Sequence, residues 1–208
     1  MKNHLRVLLF ITLIFSVVFI SSTGVFGKCG KERWAVKTGS DPDIHFVFIS
    51  PNKLRVKKTT VQKMIDFPYP FPNPRGIPKV WWTKRVPRYE RTVWVLEVTL
   101  KDYTREDDED YHLVLEDENG NAMVAEIADP ACVDSNAPPL IKERIKIARD
   151  DFDRKFNGSL RPTSNPKSPN VKIRIAGIGM FDKEHNQLGR ADNGIELHPV
   201  LGIEFFDN

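Results

Sequence analysis

The order of its regular elements constrains this chain more than any other feature. Thr92–Tyr103 is rich in Val, Trp, Leu and Thr and alternates apolar with polar residues, which predicts a strand. Tyr111–Glu116 alternates more clearly, with Tyr111, Leu113 and Leu115 on one face and His112, Val114 and Glu116 on the other. Asn119-Gly120 is a two-residue hairpin signal, and Ala122–Ala128 is the returning strand, with Met123, Ala125 and Ile127 on one face. Leu140–Phe156 changes period: Ile141, Ile145, Ala148, Phe152 and Phe156 make the single stripe of an amphipathic helix. Pro138 and Pro139 precede that helix and Gly158 ends it. Two further strands follow, Val171–Phe181 and Ile195–Phe206, with Pro199 marking a bulge or an edge position in the second. Three strands, a helix and two strands is the order of an OB-type five-stranded Greek-key barrel, mainly β with one main helix.

The residues before Thr92 do not follow this pattern. Lys2, His4 and Arg6 open the chain, Val7–Ile20 is apolar apart from Thr12 and Ser16, and Val25-Phe26-Gly27 ends the stretch. This is the layout of a signal peptide over residues 1–27, cleaved between Gly27 and Lys28. The apolar run is short of the roughly 20 residues that span a bilayer, so no anchor remains after cleavage, and the expected location is secreted or periplasmic. Export places Cys29 and Cys132, the only two cysteines, in an oxidising compartment, where they pair as one disulfide. Residues 28–91 then form an irregular N-terminal extension, and 92–208 the OB-like domain. Within the extension, Trp34–Gly39 and Phe46–Ile49 read as short strands, and Thr59-Thr-Val-Gln62 as a capping box opening a helix through Asp66.

Charge is uneven. Lys53–Arg91 carries eleven Lys and Arg against Asp66 and Glu90, whereas Glu97–Glu118 carries ten acids against Lys101 and Arg105. The favoured expectation is that the blocks neutralise each other in the fold. The basic block also contains Pro68, Pro70, Pro72, Pro74 and Pro78 among Phe67, Tyr69, Phe71, Trp81 and Trp82. It reads either as an arm lying on the domain or as an exposed aromatic and basic surface. On the second reading Trp81, Trp82, Lys84 and Arg85 would bind polyanions.

Four titratable residues interrupt apolar strands: His112, Glu126, Glu196 and His198. Glu196 and His198 are two apart and share a side of the last strand, and His112 and Glu126 lie on hairpin partners. Two imidazoles and two carboxylates suit Zn²⁺ or another divalent ion; the alternative is a solvated outer face. Asp107–Asp110 lacks the alternate spacing and central Gly of a calcium loop and reads as a solvated acidic loop. Gly177-Ile-Gly179 lies inside a strand, where close packing explains it better than phosphate binding.

Taken together, Cys29-Gly-x-Glu-Arg-Trp-x-Val-Lys-Thr-Gly39, Asp110-Tyr-His-Leu-Val-Leu115, Glu126-Ile-x-Asp-Pro-x-Cys132 and Gly194-Ile-Glu-Leu-His-Pro-Val200 resemble a family of uncharacterised secreted bacterial proteins. The resemblance implies a signal peptide and an OB-like domain, and brings no activity or catalytic residue.

No nucleophile elbow or other enzyme signature is present. The leading functional reading is therefore an exported, non-enzymatic binding module without a cofactor, its ligand unspecified. One rival is an oligonucleotide binder using the basic aromatic arm. OB barrels bind such ligands between the loops joining strands one–two and four–five. Those loops, Lys101–Asp110 and Asp182–Gly194, carry net charges of −4 and −1 and would repel phosphate. The other rival is a metal-dependent hydrolase or phosphodiesterase that activates water at the His/Glu cluster.

Overall fold

A computed structural model describes residues 29–184 and 186–206; the expected signal peptide lies outside the described residues. In chain order the elements are α1 (Trp34–Thr38), β1 (Phe48–Ser50), β2 (Lys53–Leu54), β3 (Val56–Lys58), α2 (Val61–Ile65), β4 (Val93–Arg105), β5 (Tyr111–Glu116), β6 (Ala122–Ile127), α3 (Pro139–Lys155), β7 (Val171–Phe181) and β8 (Ile195–Phe205). Strands β4 to β8 close into a five-stranded barrel in the order β4-β5-β6-β8-β7, and β7 pairs back onto β4. The β6–β8 pair is parallel and the other four barrel pairings are antiparallel. This is the OB-type barrel. Closure leaves no free edge among the five strands.

Alternation decides which side chains enter the barrel. Leu113 and Leu115 of β5, Met123, Ala125 and Ile127 of β6, and Ile195 and Leu197 of β8 join one buried apolar cluster. Phe152 on the C-terminal half of α3 and Phe156 just beyond its end close one end of it, with Tyr103 edge-on to Phe152 at 5.2 Å between ring centroids. The N-terminal half of α3 packs Ile141 and Ile145 against Ile44, Val47, Ile178 and Leu201 in a second cluster. At about 25 cal/mol per Å² of apolar surface, these two clusters are the main stabilising term. The β7–β8 register slips between Ala176 and Gly179, opposite Leu197–Val200, so Pro199 sits at a bulge in an interior strand. Gly179 is forced by close approach, because a Cβ there would lie 2.5 Å from the Tyr89 carbonyl.

The N-terminal residues depart from expectation in two places. Phe46 and Val47 end a 3-10 helix over Pro42–Val47, so the strand expected at Phe46–Ile49 begins only at Phe48. Trp34–Thr38 is a helix, not a strand. The stretch is too short for period-2 alternation to discriminate. It is closed instead by Gly39 in the left-handed region and by Thr38 Oγ1 donating to the Trp34 carbonyl at 2.9 Å. The capping reading holds in part: Thr60 caps α2 by accepting from the Lys63 amide. The Pro-rich stretch is an arm laid on the barrel. Phe71 and Ile77 are buried in the barrel cluster, and Phe67, Tyr69, Trp81 and Trp82 pack against it. A disulfide joins Cys29 to Cys132 and ties the start of α1 to the turn before α3.

The two charge blocks do not neutralise each other. Among the described residues, the basic block pairs with Asp41, Asp43 and Glu184, and the acidic block with Lys172, Arg174 and the barrel imidazoles, besides its own Lys101 and Arg105. Their adjacency in sequence is not adjacency in space.

Candidate metal centre

The pleat that sends Leu113, Ala125 and Leu197 inward sends His112, Glu126, Glu196 and His198 to the outer face of β5, β6 and β8. Register brings them together: His112 lies directly opposite Glu126, and Val124 pairs with Glu196 across the parallel ladder. The face is not solvated, which corrects one of the two alternatives read from sequence. All four residues are buried, His198 completely. The cover comes from α1, from the β4–β5 loop and from the β7–β8 loop. Helix α1 is held in place by the disulfide and by Trp34 Nε1, which donates to the Cys132 carbonyl at 3.2 Å.

Residues that sequence reasoning passed over complete the cluster. Asp110 belongs to the acidic run expected to be a solvated loop, yet it is fully buried. Arg149 of α3 donates to the carbonyls of Ile127 and Glu109 and so holds that loop against the barrel. Asp110 Oδ1 accepts from the Asp129 amide at 2.7 Å, and Oδ2 lies 3.4 Å from His198 Nε2. Lys37 reaches in from α1, 3.7 Å from Glu126 Oε2 and 3.8 Å from Asp182 Oδ2. On the other side of Glu126, His112 Nδ1 lies 3.5 Å from both Glu126 Oε1 and Glu106 Oε1. Gln187 Nε2 donates to those same two carboxylates at 3.3 Å each.

Asp110, His112 and His198 each have one polar atom tied down and another bare. His112 Nε2 bonds to the Leu188 carbonyl at 2.9 Å, which as a donor leaves the Nδ1 lone pair free. His198 Nδ1 faces Glu126 Oε2 at 2.9 Å and Glu196 Oε1 at 3.4 Å, leaving Nε2 free. Asp110 Oδ2, Glu126 Oε2, His112 Nδ1 and His198 Nε2 are all buried without a hydrogen-bond partner. Such atoms are rare, because each costs about 1–3 kcal/mol of lost solvation. Tied outer atoms that orient bare inner ones are the pattern of metal ligands and their supporting groups.

Electrostatics point the same way. Six carboxylates, Glu106, Asp108, Asp110, Glu126, Asp182 and Glu196, gather around one ammonium, Lys37, and two imidazoles. Without a bound cation, protons meet the excess of negative charge. Burial, then the charge of Glu126, pushes Glu196 up to about 7. Burial opposes a charged His112, but the hydrogen bond and charge of Glu126 outweigh it and raise the imidazole to about 9. Burial likewise opposes charge on His198, and Glu126, Asp110 and Glu196 together raise it. Burial alone would raise Glu126; Lys37 and the two imidazoles hold it well below the usual carboxylate range.

One ligand atom from each of Asp110, Glu126 and His198 lies within 4.8 Å of the others, and the same holds for Glu106, His112 and Glu126. For bonds of about 2.1 Å, tetrahedral ligand atoms sit about 3.4 Å apart, close to the 3.4–3.5 Å separations found here.

The residues expected to bind polyanions do not form one surface. Arg85 is fully buried, donating to Asp41 Oδ2 at 2.7 Å and to the Val36 carbonyl at 2.7 Å. Trp81 and Trp82 are half-buried against the core, and Trp82 Nε1 is spent on the Ile77 carbonyl. Lys84 alone of the four is exposed.

No protein-family model, curated protein or solved structure matches the chain. The cluster therefore stands on its own geometry. It occupies the ligand face of an OB barrel, the outside of the second and third strands between the loops joining strands one–two and four–five. That face is lined here with carboxylates and imidazoles.

Proposed function

We propose that this chain is an exported binding module that holds a divalent transition-metal ion at Asp110, Glu126 and His198, with Zn²⁺ best suited to the donors. The observation that carries this reading is the convergence of Asp110, Glu126 and His198, each offering a ligand atom within 4.8 Å of the others, with Asp110 Oδ2 and His198 Nε2 buried, without a hydrogen-bond partner and 3.4 Å apart. Glu196 orients the His198 ring through Nδ1, and the Asp129 amide orients Asp110. A mixed imidazole and carboxylate set favours Zn²⁺ over the all-oxygen preference of Ca²⁺ or Mg²⁺. Export agrees with the signal-like residues 1–27, with the disulfide, and with the absence among the described residues of a helix long and apolar enough to cross a membrane. Membership in the exported bacterial family that the sequence resembles is part of this reading. Acidic loops on the ligand face argue against an oligonucleotide there.

The test is the metal content of the disulfide-bonded protein purified without chelator, followed by chelation and titration with Zn²⁺ while thermal unfolding is monitored. Bound divalent ion, and a rise in Tm that His198→Ala and Asp110→Asn abolish, support the reading. Metal-free protein whose Tm ignores Zn²⁺ overturns it.

A further inference from the structure

We infer that the cluster is a two-ion centre, in which a second divalent cation sits at Glu106, His112 and Glu126 on the solvent side of the first, with the Glu126 carboxylate shared between them. This rests on the one-ion reading above and extends it to a second position.

The two oxygens of Glu126 face different partners. Oε2 lies on the inner side, 2.9 Å from the His198 ring, and Oε1 on the outer side, 3.5 Å from His112 Nδ1. His112 Nδ1 is equally far from Glu106 Oε1, so two edges of the outer set are close to tetrahedral edges, as the Asp110 Oδ2–His198 Nε2 edge is. His112 is 5% exposed, and its Nδ1 is buried without a hydrogen bond although two carboxylates flank it. A proton on Nδ1 would serve one carboxylate with poor geometry. A cation on that lone pair serves both. The Gln187 amide already spans Glu106 Oε1 and Glu126 Oε1, and turning it over would present its oxygen as a further ligand. A bridging carboxylate between two ions about 3.5–4 Å apart is the usual plan of a two-metal site.

The two positions differ in access. Asp110, Glu126 and His198 are each no more than 1% exposed. Glu106 and His112 instead line a surface pocket of about 190 Å³, together with Thr104, Val114, Gln187 and Leu188. The outer ion is thus the exchangeable one. It keeps room for water or a small anion from the pocket, and its site is the route by which the inner ion enters.

Zn²⁺ stoichiometry by equilibrium dialysis on the intact, disulfide-bonded chain decides the matter, with circular dichroism to verify folding. Two ions are expected in the natural protein and one in Glu106→Gln and in His112→Ala. Glu106→Gln keeps the shape of a side chain only partly buried, so its fold is not at risk. With Mn²⁺ in place of Zn²⁺, the natural protein should show spin coupling between paired ions, and Glu106→Gln should show an uncoupled signal. A single ion unaffected by either variant overturns the second position and leaves the first reading standing. No ion at all overturns both.

Discussion

Two buried polar regions lie within a few residues of each other on the N-terminal segment, and they are built on opposite principles. Around Arg33 every group is satisfied. Its guanidinium donates to both Glu90 oxygens at 2.7 and 2.8 Å and to the carbonyls of Trp81, Lys84 and Phe181. Glu90 in turn accepts from the amides of Val86 and Phe181. Four residues along, Lys37 enters a region where four buried ligand atoms have no hydrogen bond. A closed network, each member saturated, fixes structure: here it locks the N-terminal segment and the arm to β7. An open network leaves buried polar atoms without a protein hydrogen-bond partner, which is where a bound group has room to act. Burial alone does not separate the two; satisfaction does.

The largest expected effect strikes the cover common to both regions. Replacing Cys29 and Cys132 with Ser opens a loop with a sequence separation of 103 and removes up to about 4–5 kcal/mol of stability, read as a fall in the urea midpoint. If the midpoint stays put, α1 is held by packing alone. Next comes the closed network. Arg33→Met strands the Glu90 charge and should cost about 3–5 kcal/mol, while the chain that still folds retains its bound ion. Loss of the ion at unchanged stability would merge the two regions into one.

Smaller is the effect of the ion itself. At a free Zn²⁺ concentration about 100 times the Kd, stabilisation of about 2.7 kcal/mol is expected, or roughly 5–10 °C in Tm for a chain of this size. Calorimetry with and without Zn²⁺ measures it, and a shift that survives in His198→Ala would move the site elsewhere. Smaller again is Lys37→Met, which removes a cation 3.7 Å from Glu126 Oε2 and should tighten Zn²⁺ by about tenfold in competition with a chromophoric chelator. Weaker binding would make Lys37 a supporting partner of the centre instead of a competitor for it. The exposed Lys146–Asp150 pair on α3 sets the lower limit: Lys146→Ala should cost no more than about 0.5 kcal/mol in chemical denaturation.

Much of the barrel was legible because alternation and the 3.6-residue stripe are local signals. Tyr111–Glu116 and Val171–Phe181 lie where the residues place them, and α3 differs by one residue at each end. Half of the cluster was legible for the same reason: a titratable residue at the outward position of an apolar strand stands out in any linear reading. Asp110, Glu106, Gln187 and Lys37 did not stand out. They sit in loops and in a one-turn helix, where polar residues are ordinary and no period assigns a face. Arg85 misled in the opposite sense. Its neighbours are basic and aromatic, but its partner Asp41 is 44 residues away.

By itself the sequence determined which residues face inward and which outward on each barrel strand, because side-chain direction in a strand follows from covalent geometry and the hydrophobic effect residue by residue. It also determined the disulfide, since two cysteines allow one intramolecular pairing. Only the tertiary structure decided that the outward face of β5, β6 and β8 is covered, and that decision changes the chemistry. The same imidazoles and carboxylates in water would be a hydrated surface. Under α1 and the two loops they lose that water, and the protein sets Lys37 and hydrogen bonds to His112 and His198 in its place.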